Sequence, residues 1–235
     1  MHLSIIIPAF NEEKRIGKTL AGINDFLSQK DFEYEVIVVD DCSTDQTIKV
    51  VQQSDLAKAG KLKAVHVATH RSKGYSVKTG ILQSKGEYVL FTDADLSTPI
   101  EEMDKLYGVL QEGYHIAIGS RSIRGANVLV HQPFYREYMG IFFNFLVQNV
   151  VLQGFVDTQC GFKLFKGEVA RDIAKDLVID GFCFDVELIY VALKKKYSIK
   201  EVGVIWMNSA QSKVRLLGSS LSMFMDLFRV KTLHR

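Results

Sequence analysis

Short apolar runs alternate with amphipathic segments along the first half of the chain. Five runs are almost continuously apolar, as is typical of strands buried on both faces of a sheet; they cover 3–7, 34–39, 64–68, 88–92 and 115–119. Between these runs, apolar residues recur at helical spacing. Helices are predicted up to about 28, over about 45–58 and 75–83, and after Pro99. This alternation predicts an α/β fold with a mostly parallel central sheet covered by helices on both faces.

The second half of the chain has a less regular pattern. Its predicted elements are an aromatic-rich helix at 134–153, a turn-rich stretch at 157–163, a helix at 184–195, a strand at 199–206 and a last helix at 215–230. No internal repeat, low-complexity tract or linker separates the halves. We therefore expect a single domain over 1–235, with a first half (1–125) and a second half (126–235).

Polar residues follow each predicted strand of the first half. The pairs concerned are Asn11-Glu12, Asp40-Asp41, His70-Arg71, Asp93 with Asp95, and Ser120-Arg121. In open α/β sheets, ligands bind at the carboxyl ends of the parallel strands. The pattern thus predicts that the polar chemistry converges on one edge of the sheet.

The amino-acid composition argues against several classes of function. Twenty-nine Lys and Arg against 27 Asp and Glu give a formal charge of +2, and nucleic-acid-binding proteins usually carry a stronger basic excess. No nucleic-acid partner is therefore expected. The three widely spaced cysteines indicate neither a disulfide framework nor a zinc site.

The acidic pairs at the strand ends are the strongest chemical feature. Asp93-Ala94-Asp95 follows a predicted buried strand, and carboxylates are preferred ligands for Mg²⁺ or Mn²⁺ beside substrate phosphates. The alternative is a solvated turn that leads into the next helix. Asp40-Asp41 could bind the base or ribose of a nucleoside, or could cap the helix that follows.

Three motifs in register resemble those of family 2 glycosyltransferases, which have the GT-A fold. They are Pro8-Ala9-Phe10-Asn11-Glu12, the run from Val39 to Thr47, and Asp93-Ala94-Asp95. Two further stretches, Lys73-Gly74-Tyr75 and Gly119-Ser120-Arg121, are similar to polyprenyl-phosphate sugar transferases. The run from Asp157 to Phe165 is most similar to the dolichyl-phosphate β-glucosyltransferase branch.

The resemblance implies that 1–125 binds a nucleotide-diphosphate sugar such as UDP-glucose. Asp93 and Asp95 would hold Mg²⁺ or Mn²⁺, with Asp95 the favoured direct ligand. The implied donor-binding residues are Pro8, Ala9, Asn11, Glu12, Asp40, Asp41, Ser43, Arg71, Gly74, Asp93 and Ala94.

The resemblance also implies that 126–235 receives a polyprenyl or dolichyl phosphate, and that transfer inverts the anomeric centre. Arg121, Arg136, Gln159 and Lys163 are the candidate phosphate or sugar contacts. Asp157, Asp185 and Arg121 are the candidate catalytic residues, with Asp157 or Asp185 as a base or orienting group. For Arg136 the alternative is a helix-surface residue, and for Asp157 a turn residue.

A lipid acceptor implies contact with a membrane. The stretch 138–156 is uncharged but contains four amides, so it is predicted to lie in the interface or in the core and not to span. In the tail, Val214, Leu217, Leu221, Phe224, Met225 and Phe228 recur at helical spacing, flanked by basic residues that include Lys213 and Arg215. We expect peripheral binding at the cytoplasmic face of a membrane. The alternatives for the tail helix are core packing and a homodimer contact.

Three other functions remain open from the sequence. One is a mannosyltransferase to polyprenyl phosphate that uses GDP-mannose, and another is a transferase to a soluble saccharide. The third is a nucleotide-sugar-binding module without turnover; intact Asp93, Asp95 and Arg121 argue against it.

Overall fold

The structure is a computed structural model that describes residues 1–208 and 216–235. The side chains of Arg136 and of residues 216–221 lie outside this description. The predicted contacts of Arg136, Lys213, Val214, Arg215, Leu217 and Leu221 therefore lie outside the described part of the chain.

The first half of the chain alternates strands and helices. In chain order its elements are β1 (Leu3–Ala9), α1 (Ile16–Leu27), β2 (Tyr34–Asp40), α2 (Thr47–Gln52), α3 (Asp55–Lys58), β3 (Leu62–His66), α4 (Lys73–Gln83), β4 (Tyr88–Thr92), a 3₁₀ turn (Ile100–Glu102), α5 (Met103–Gln111) and β5 (Ile116–Ser120). All five predicted strands are present. The third begins and ends two residues earlier than predicted, and the helix predicted at 45–58 is divided into α2 and α3.

The second half adds elements that the pattern did not predict. In chain order its elements are β6 (Asn127–Val130), α6 (Phe134–Val150), β7 (Phe162–Lys166), α7 (Gly167–Asp176), α8 (Phe184–Lys194), β8 (Ile199–Gly203), β9 (Ile205–Met207) and α9 (Leu216–Leu233). Three of these, β6, β7 and α7, had no counterpart in the sequence analysis. The predicted strand at 199–206 is divided between β8 and β9.

Within the described residues, seven strands form one sheet in the order β3-β2-β1-β4-β7-β5-β8. Strand β7 runs antiparallel to both β4 and β5, whereas the other pairs are parallel. The predicted mostly parallel sheet is thus confirmed. Because β7 comes from the second half and lies between two strands of the first, we infer that the two halves fold as one unit.

Two apolar layers hold helices on the two faces of the sheet. Successive residues of a strand point to opposite faces, so Ile5 packs with α1 and α5, whereas Ile6 packs with α4, α7 and α8. The buried residues of α1 recur every three or four positions, as a helix with one apolar face requires.

The strand directions bring the polar loops to one edge. The parallel strands β1, β2, β4 and β5 end there, and the antiparallel strand β7 begins there. This topology places residues 157–161, which precede β7, beside Asp93 and Arg121.

Candidate active site

A cleft of about 930 Å³ opens at this edge of the sheet. Its polar floor comes from the loops that follow β1, β2, β4 and β5 and from the loop that precedes β7. Ten of the residues predicted for the site line it, namely Pro8, Ala9, Glu12, Asp41, Asp93, Ala94, Asp95, Arg121, Gln159 and Asp185. The structure therefore brings most of the predicted site together.

The loops after β1 and β2 are joined by hydrogen bonds beside the cleft. The backbone N–H of Asn11 donates to Ser43 Oγ at 2.8 Å, and Asn11 Oδ1 accepts the backbone N–H of Thr44 at 2.7 Å. Asn11 has a positive φ of 56°, which asparagine tolerates better than most residues. Asn11 and Ser43 thus shape the cleft from behind and do not line it.

The two adjacent aspartates have different surroundings. Asp41 lines the cleft, and its carboxylate accepts the backbone N–H groups of Arg71 and Ser72 at 2.8 and 2.7 Å. Asp40 is fully buried and bonds Ser43 N and His66 Nδ1. Within the described part of the chain, Asp40 Oδ1 has no hydrogen-bond partner.

Two other residues that were predicted to bind the donor, Arg71 and Gly74, support the cleft from outside. Arg71 forms an ion pair with Asp180 at 2.6 Å and stacks on Tyr75. A Cβ at Gly74 would lie 2.5 Å from the carbonyl oxygen of Ile179, so only glycine allows the start of α4 to approach that segment. In this structure both residues brace the cleft instead of lining it.

The carboxylates that follow β4 lie between protein cations. Asp93 Oδ1 is 2.7 Å from Lys73 Nζ, and Asp95 Oδ2 is 3.1 Å from an Arg15 nitrogen. Burial would lower the pKa of Lys73, but the nearby carboxylates, led by Asp93, outweigh this and raise it. Lys73 therefore stays charged at neutral pH.

Asp93 and Asp95 fit a divalent cation that is bound jointly with a nucleotide. They offer the oxygen donors that Mg²⁺ and Mn²⁺ prefer. Among the described residues, no group of three or more His, Cys, Asp or Glu side chains could hold a metal ion unaided. Phosphate oxygens and water would therefore complete the coordination, as is common for Mg²⁺.

Arg121 also lines the cleft and is held by several contacts. Its Nε and Nη2 donate to the two carboxylate oxygens of Asp157 at 2.7 and 2.9 Å, and its backbone N–H donates to the same carboxylate. The guanidinium also lies 5.4 Å from the ring centre of Trp206. Burial would raise the pKa of Asp157, but Arg121 outweighs it and keeps the pKa below its ordinary value.

A buried ion pair lies beneath the floor of the cleft. Lys163 Nζ is 2.5 Å from Asp185 Oδ1 and also donates to the carbonyl oxygen of Cys160. Burial raises the pKa of Asp185, although Lys163 and Lys73 oppose it. Asp185 lines the cleft, whereas Lys163 is fully buried. Lys163 in this conformation cannot make the phosphate contact predicted for it.

One wall of the cleft is apolar and continues onto the protein surface. Met139, Phe142, Phe143 and Leu146 of α6 line it, together with Met223 and Phe224 of α9. On the outer side of α6, Phe134 and Tyr138 are 74% and 70% exposed. The described helices include none that is both long and apolar enough to cross a membrane.

Two basic residues of the site were given no role by sequence reasoning. Lys73 was noted as part of a motif, and Arg15 was not noted. The sequence pattern singles out polar residues that directly follow a strand, and neither Lys73 nor Arg15 does so. Both lie near helix starts, and only the folded chain brings them to Asp93 and Asp95.

Comparisons with known proteins agree with this geometry. The model of the family described as "Glycosyl transferase family 2" matches residues 4–174. A dolichyl-phosphate beta-glucosyltransferase of Dictyostelium discoideum is 35% identical over 242 residues, which cover 98% of this chain and 74% of the relative. The corresponding enzyme of Drosophila melanogaster is 37% identical with the same coverage.

A solved structure shows the same fold. Glucosyl-3-phosphoglycerate synthase from Mycobacterium tuberculosis, in complex with Mn²⁺, UDP-glucose and phosphoglyceric acid, has a TM-score of 0.71 at 19% identity. The match covers 97% of this chain and 79% of that one. The GT-A fold expected from the sequence is confirmed, and the chain belongs to glycosyl transferase family 2.

Proposed function

We propose that the protein is an inverting hexosyltransferase that moves glucose from UDP-glucose to the phosphate of a polyprenol such as dolichol. Relatives at 35–37% identity over nearly the whole chain are dolichyl-phosphate beta-glucosyltransferases. The observation that carries the proposal is that one cleft joins three features. These are the carboxylates of Asp93 and Asp95, the guanidinium of Arg121, and the apolar wall of α6 and α9.

The donor occupies the end of the cleft formed by the loops after β1, β2 and β4. Asp41 lines the cleft and is the residue proposed to accept a base N–H. A carboxylate can accept about four bonds, which is more than the backbone N–H groups of Arg71 and Ser72 and the His70 side chain use. Asp93 and Asp95 would hold the cation; a Mycobacterium tuberculosis protein of the same fold has been solved with Mn²⁺ and UDP-glucose. The bound cation would offset the charge that develops on the departing diphosphate.

The acceptor phosphate binds Arg121. An oxygen of the lipid phosphate attacks the anomeric carbon, the bond to the diphosphate oxygen breaks, and the configuration inverts. A phosphate monoester has a second pKa of about 6, so it carries its own nucleophilic charge and needs no strong base. Asp157 is engaged with Arg121 and therefore acts as an orienting group, not as a base.

The apolar wall is the feature that favours a lipid over a soluble saccharide. A polyprenyl chain can leave the cleft along α6 and α9 and enter a bilayer, where the exposed aromatic side chains of α6 would lie at the interface. We therefore propose peripheral membrane binding. We assign the cytoplasmic face because all three cysteines are free thiols, which a reducing compartment preserves.

A label-transfer assay tests the proposal. Purified protein, Mn²⁺ and a short polyprenyl phosphate are incubated with radiolabelled UDP-glucose or GDP-mannose, and the label is extracted into organic solvent. Label in the organic phase from UDP-glucose alone is the expected result. Label from GDP-mannose alone would show that the donor is GDP-mannose and that the sugar transferred is mannose. Transfer to a soluble saccharide, or donor binding without any transfer, would overturn the lipid acceptor.

A further inference from the structure

The loop that carries Asp157 is fastened to the edge of the sheet by one side chain. Glu201 lies on β8, and its two carboxylate oxygens accept the backbone N–H groups of Val156 and Asp157, both at 2.9 Å. Hydrogen bonds to an ionised carboxylate are stronger than neutral ones. Glu201 therefore fixes the backbone of the residue that orients Arg121.

The sheet makes this attachment rigid. Strands β5 and β8 pair in parallel, with Ile118 opposite Glu201 and Ser120 opposite Gly203. Arg121 directly follows β5, so Glu201 and Arg121 are carried by two hydrogen-bonded neighbouring strands. The loop between them is held from both sides, by Glu201 through its backbone and by Arg121 through the Asp157 carboxylate.

The indole of Trp206 completes the arrangement. It packs on the guanidinium of Arg121 from β9, just after β8 in the chain. Arg121 is thus confined by a bidentate carboxylate on one side and by an aromatic ring on another. An arginine confined in this way loses little side-chain freedom when it binds a phosphate.

We propose that Glu201 is a positioning residue for the acceptor phosphate, acting through Asp157 on Arg121. The inference rests on the proposed function, in which Arg121 binds that phosphate. Glu201 is not among the residues that line the cleft. Its loss should therefore weaken acceptor binding and leave donor binding nearly unchanged.

Trp206 provides a direct readout because it is the only tryptophan in the chain. The full chain is studied as wild type, Glu201→Gln and Glu201→Ala. Glu112→Gln is the matched control. Glu112 forms an ion pair with Lys200, which precedes Glu201 on β8, but Glu112 itself lies away from Arg121. Acrylamide quenching of Trp206 is measured without ligands. Farnesyl phosphate is then titrated in the presence of UDP and Mn²⁺, and the affinity for UDP is measured separately.

The expected loss of affinity for farnesyl phosphate differs among the variants. Glu201→Ala raises the dissociation constant for farnesyl phosphate about tenfold, or ~1.4 kcal/mol, and changes Trp206 quenching. Glu201→Gln, which keeps one acceptor oxygen, is intermediate. Affinity for UDP stays within about twofold in every variant, and Glu112→Gln matches wild type.

Two results would overturn the inference. One is a Glu201→Ala protein with wild-type Trp206 quenching and wild-type affinity for farnesyl phosphate. The other is an equal loss of UDP and farnesyl phosphate affinity, which would mean general disruption of the fold. If the wild type itself fails to bind farnesyl phosphate, the proposed acceptor is rejected, while Trp206 quenching still tests the link between Glu201 and Arg121.

Discussion

At the floor of the cleft, the position of Asp93 depends on the absence of a side chain at residue 161. A Cβ at Gly161 would lie 2.0 Å from Asp93 Oδ2 and 2.4 Å from its Cγ. Both distances are far below van der Waals contact, so any side chain there must displace the carboxylate. Gly161 thus belongs to the proposed donor site although it has no functional group.

Gly161→Ala should therefore lose at least about a hundredfold in transfer rate, since small displacements of catalytic groups are that costly. The melting temperature should change little, because the Asp93 carboxylate is partly exposed and can move. Steady-state kinetics and thermal unfolding measure the two effects. Gly108→Ala on α5 is the control, because a Cβ there meets nothing within 4 Å. Wild-type activity in Gly161→Ala would show that the carboxylate position is not critical.

The pairing of Asp157 with Arg121 predicts a pH dependence of stability. The pKa of Asp157 is lower in the folded protein than its ordinary value because Arg121 outweighs the opposing effect of burial. Its stabilising contribution is therefore fully present above the unfolded pKa of about 3.9 and is lost as the pH falls through the folded pKa.

The comparison is between wild type and Asp157→Asn, unfolded by urea at a series of pH values. The difference in free energy of unfolding should be constant from about pH 7 to 5 and should shrink below about pH 4. A difference that grows as the pH falls would contradict the depressed pKa.

Among the elements, β7 has the largest influence on the site. It runs antiparallel between β4 and β5, brings residues 157–161 to the cleft, and carries Lys163 to the buried carboxylate of Asp185 on α8. A buried charge that loses its partner is strongly destabilising, whereas removal of both partners costs less. The ion pair thus ties an interior strand of the sheet to a helix that packs on one of its faces.

Lys163→Met should lower the free energy of unfolding by ~3–5 kcal/mol. The double variant Lys163→Met with Asp185→Asn should lose clearly less than the sum of the single changes. Lys200→Met, which breaks an exposed pair on β8, is the control and should have little effect. Denaturant unfolding is measured for wild type, the two single variants Lys163→Met and Asp185→Asn, the double variant and the control. Strict additivity would show that the two buried groups do not interact.

Sequence periodicity predicted the strands and helices of the first half because parallel strands are apolar throughout and the helices have one apolar face. It did not predict β7, which has only five residues, two of them lysines, and which follows a turn-rich stretch. Burial of Lys163 is possible only because Asp185 comes from another element. The sequence therefore predicted that Asp93, Asp95, Arg121 and Asp157 belong to the site, but could not show with which side chains they pair.

At the scale of the whole molecule, we expect a membrane-binding face. The aromatic side chains on the outside of α6 are the most exposed apolar residues of the described chain, and they continue the apolar wall of the cleft. Such a face binds a bilayer interface in proportion to the apolar area that it buries.

Replacement of Phe134, Tyr138 and Ile141 together by serine should reduce binding to lipid vesicles at least about tenfold without lowering the melting temperature, because all three are exposed. The matched control replaces Leu82, Val178 and Leu193, which are also exposed but lie outside α6. Vesicle flotation measures binding, and sedimentation measures mass. Loss of a dimer with unchanged vesicle binding would instead identify the face as a contact between two copies.

The most direct test of the account is the structure of the lipid product. Glucose transferred from UDP-glucose to a short polyprenyl phosphate is isolated, and its linkage is read by ¹H and ³¹P nuclear magnetic resonance. The account predicts a phosphodiester between the anomeric carbon and the lipid phosphate in the β configuration, formed by wild type and not by Asp95→Ala. An α-linked product, or glucose attached elsewhere than on the phosphate, would contradict it.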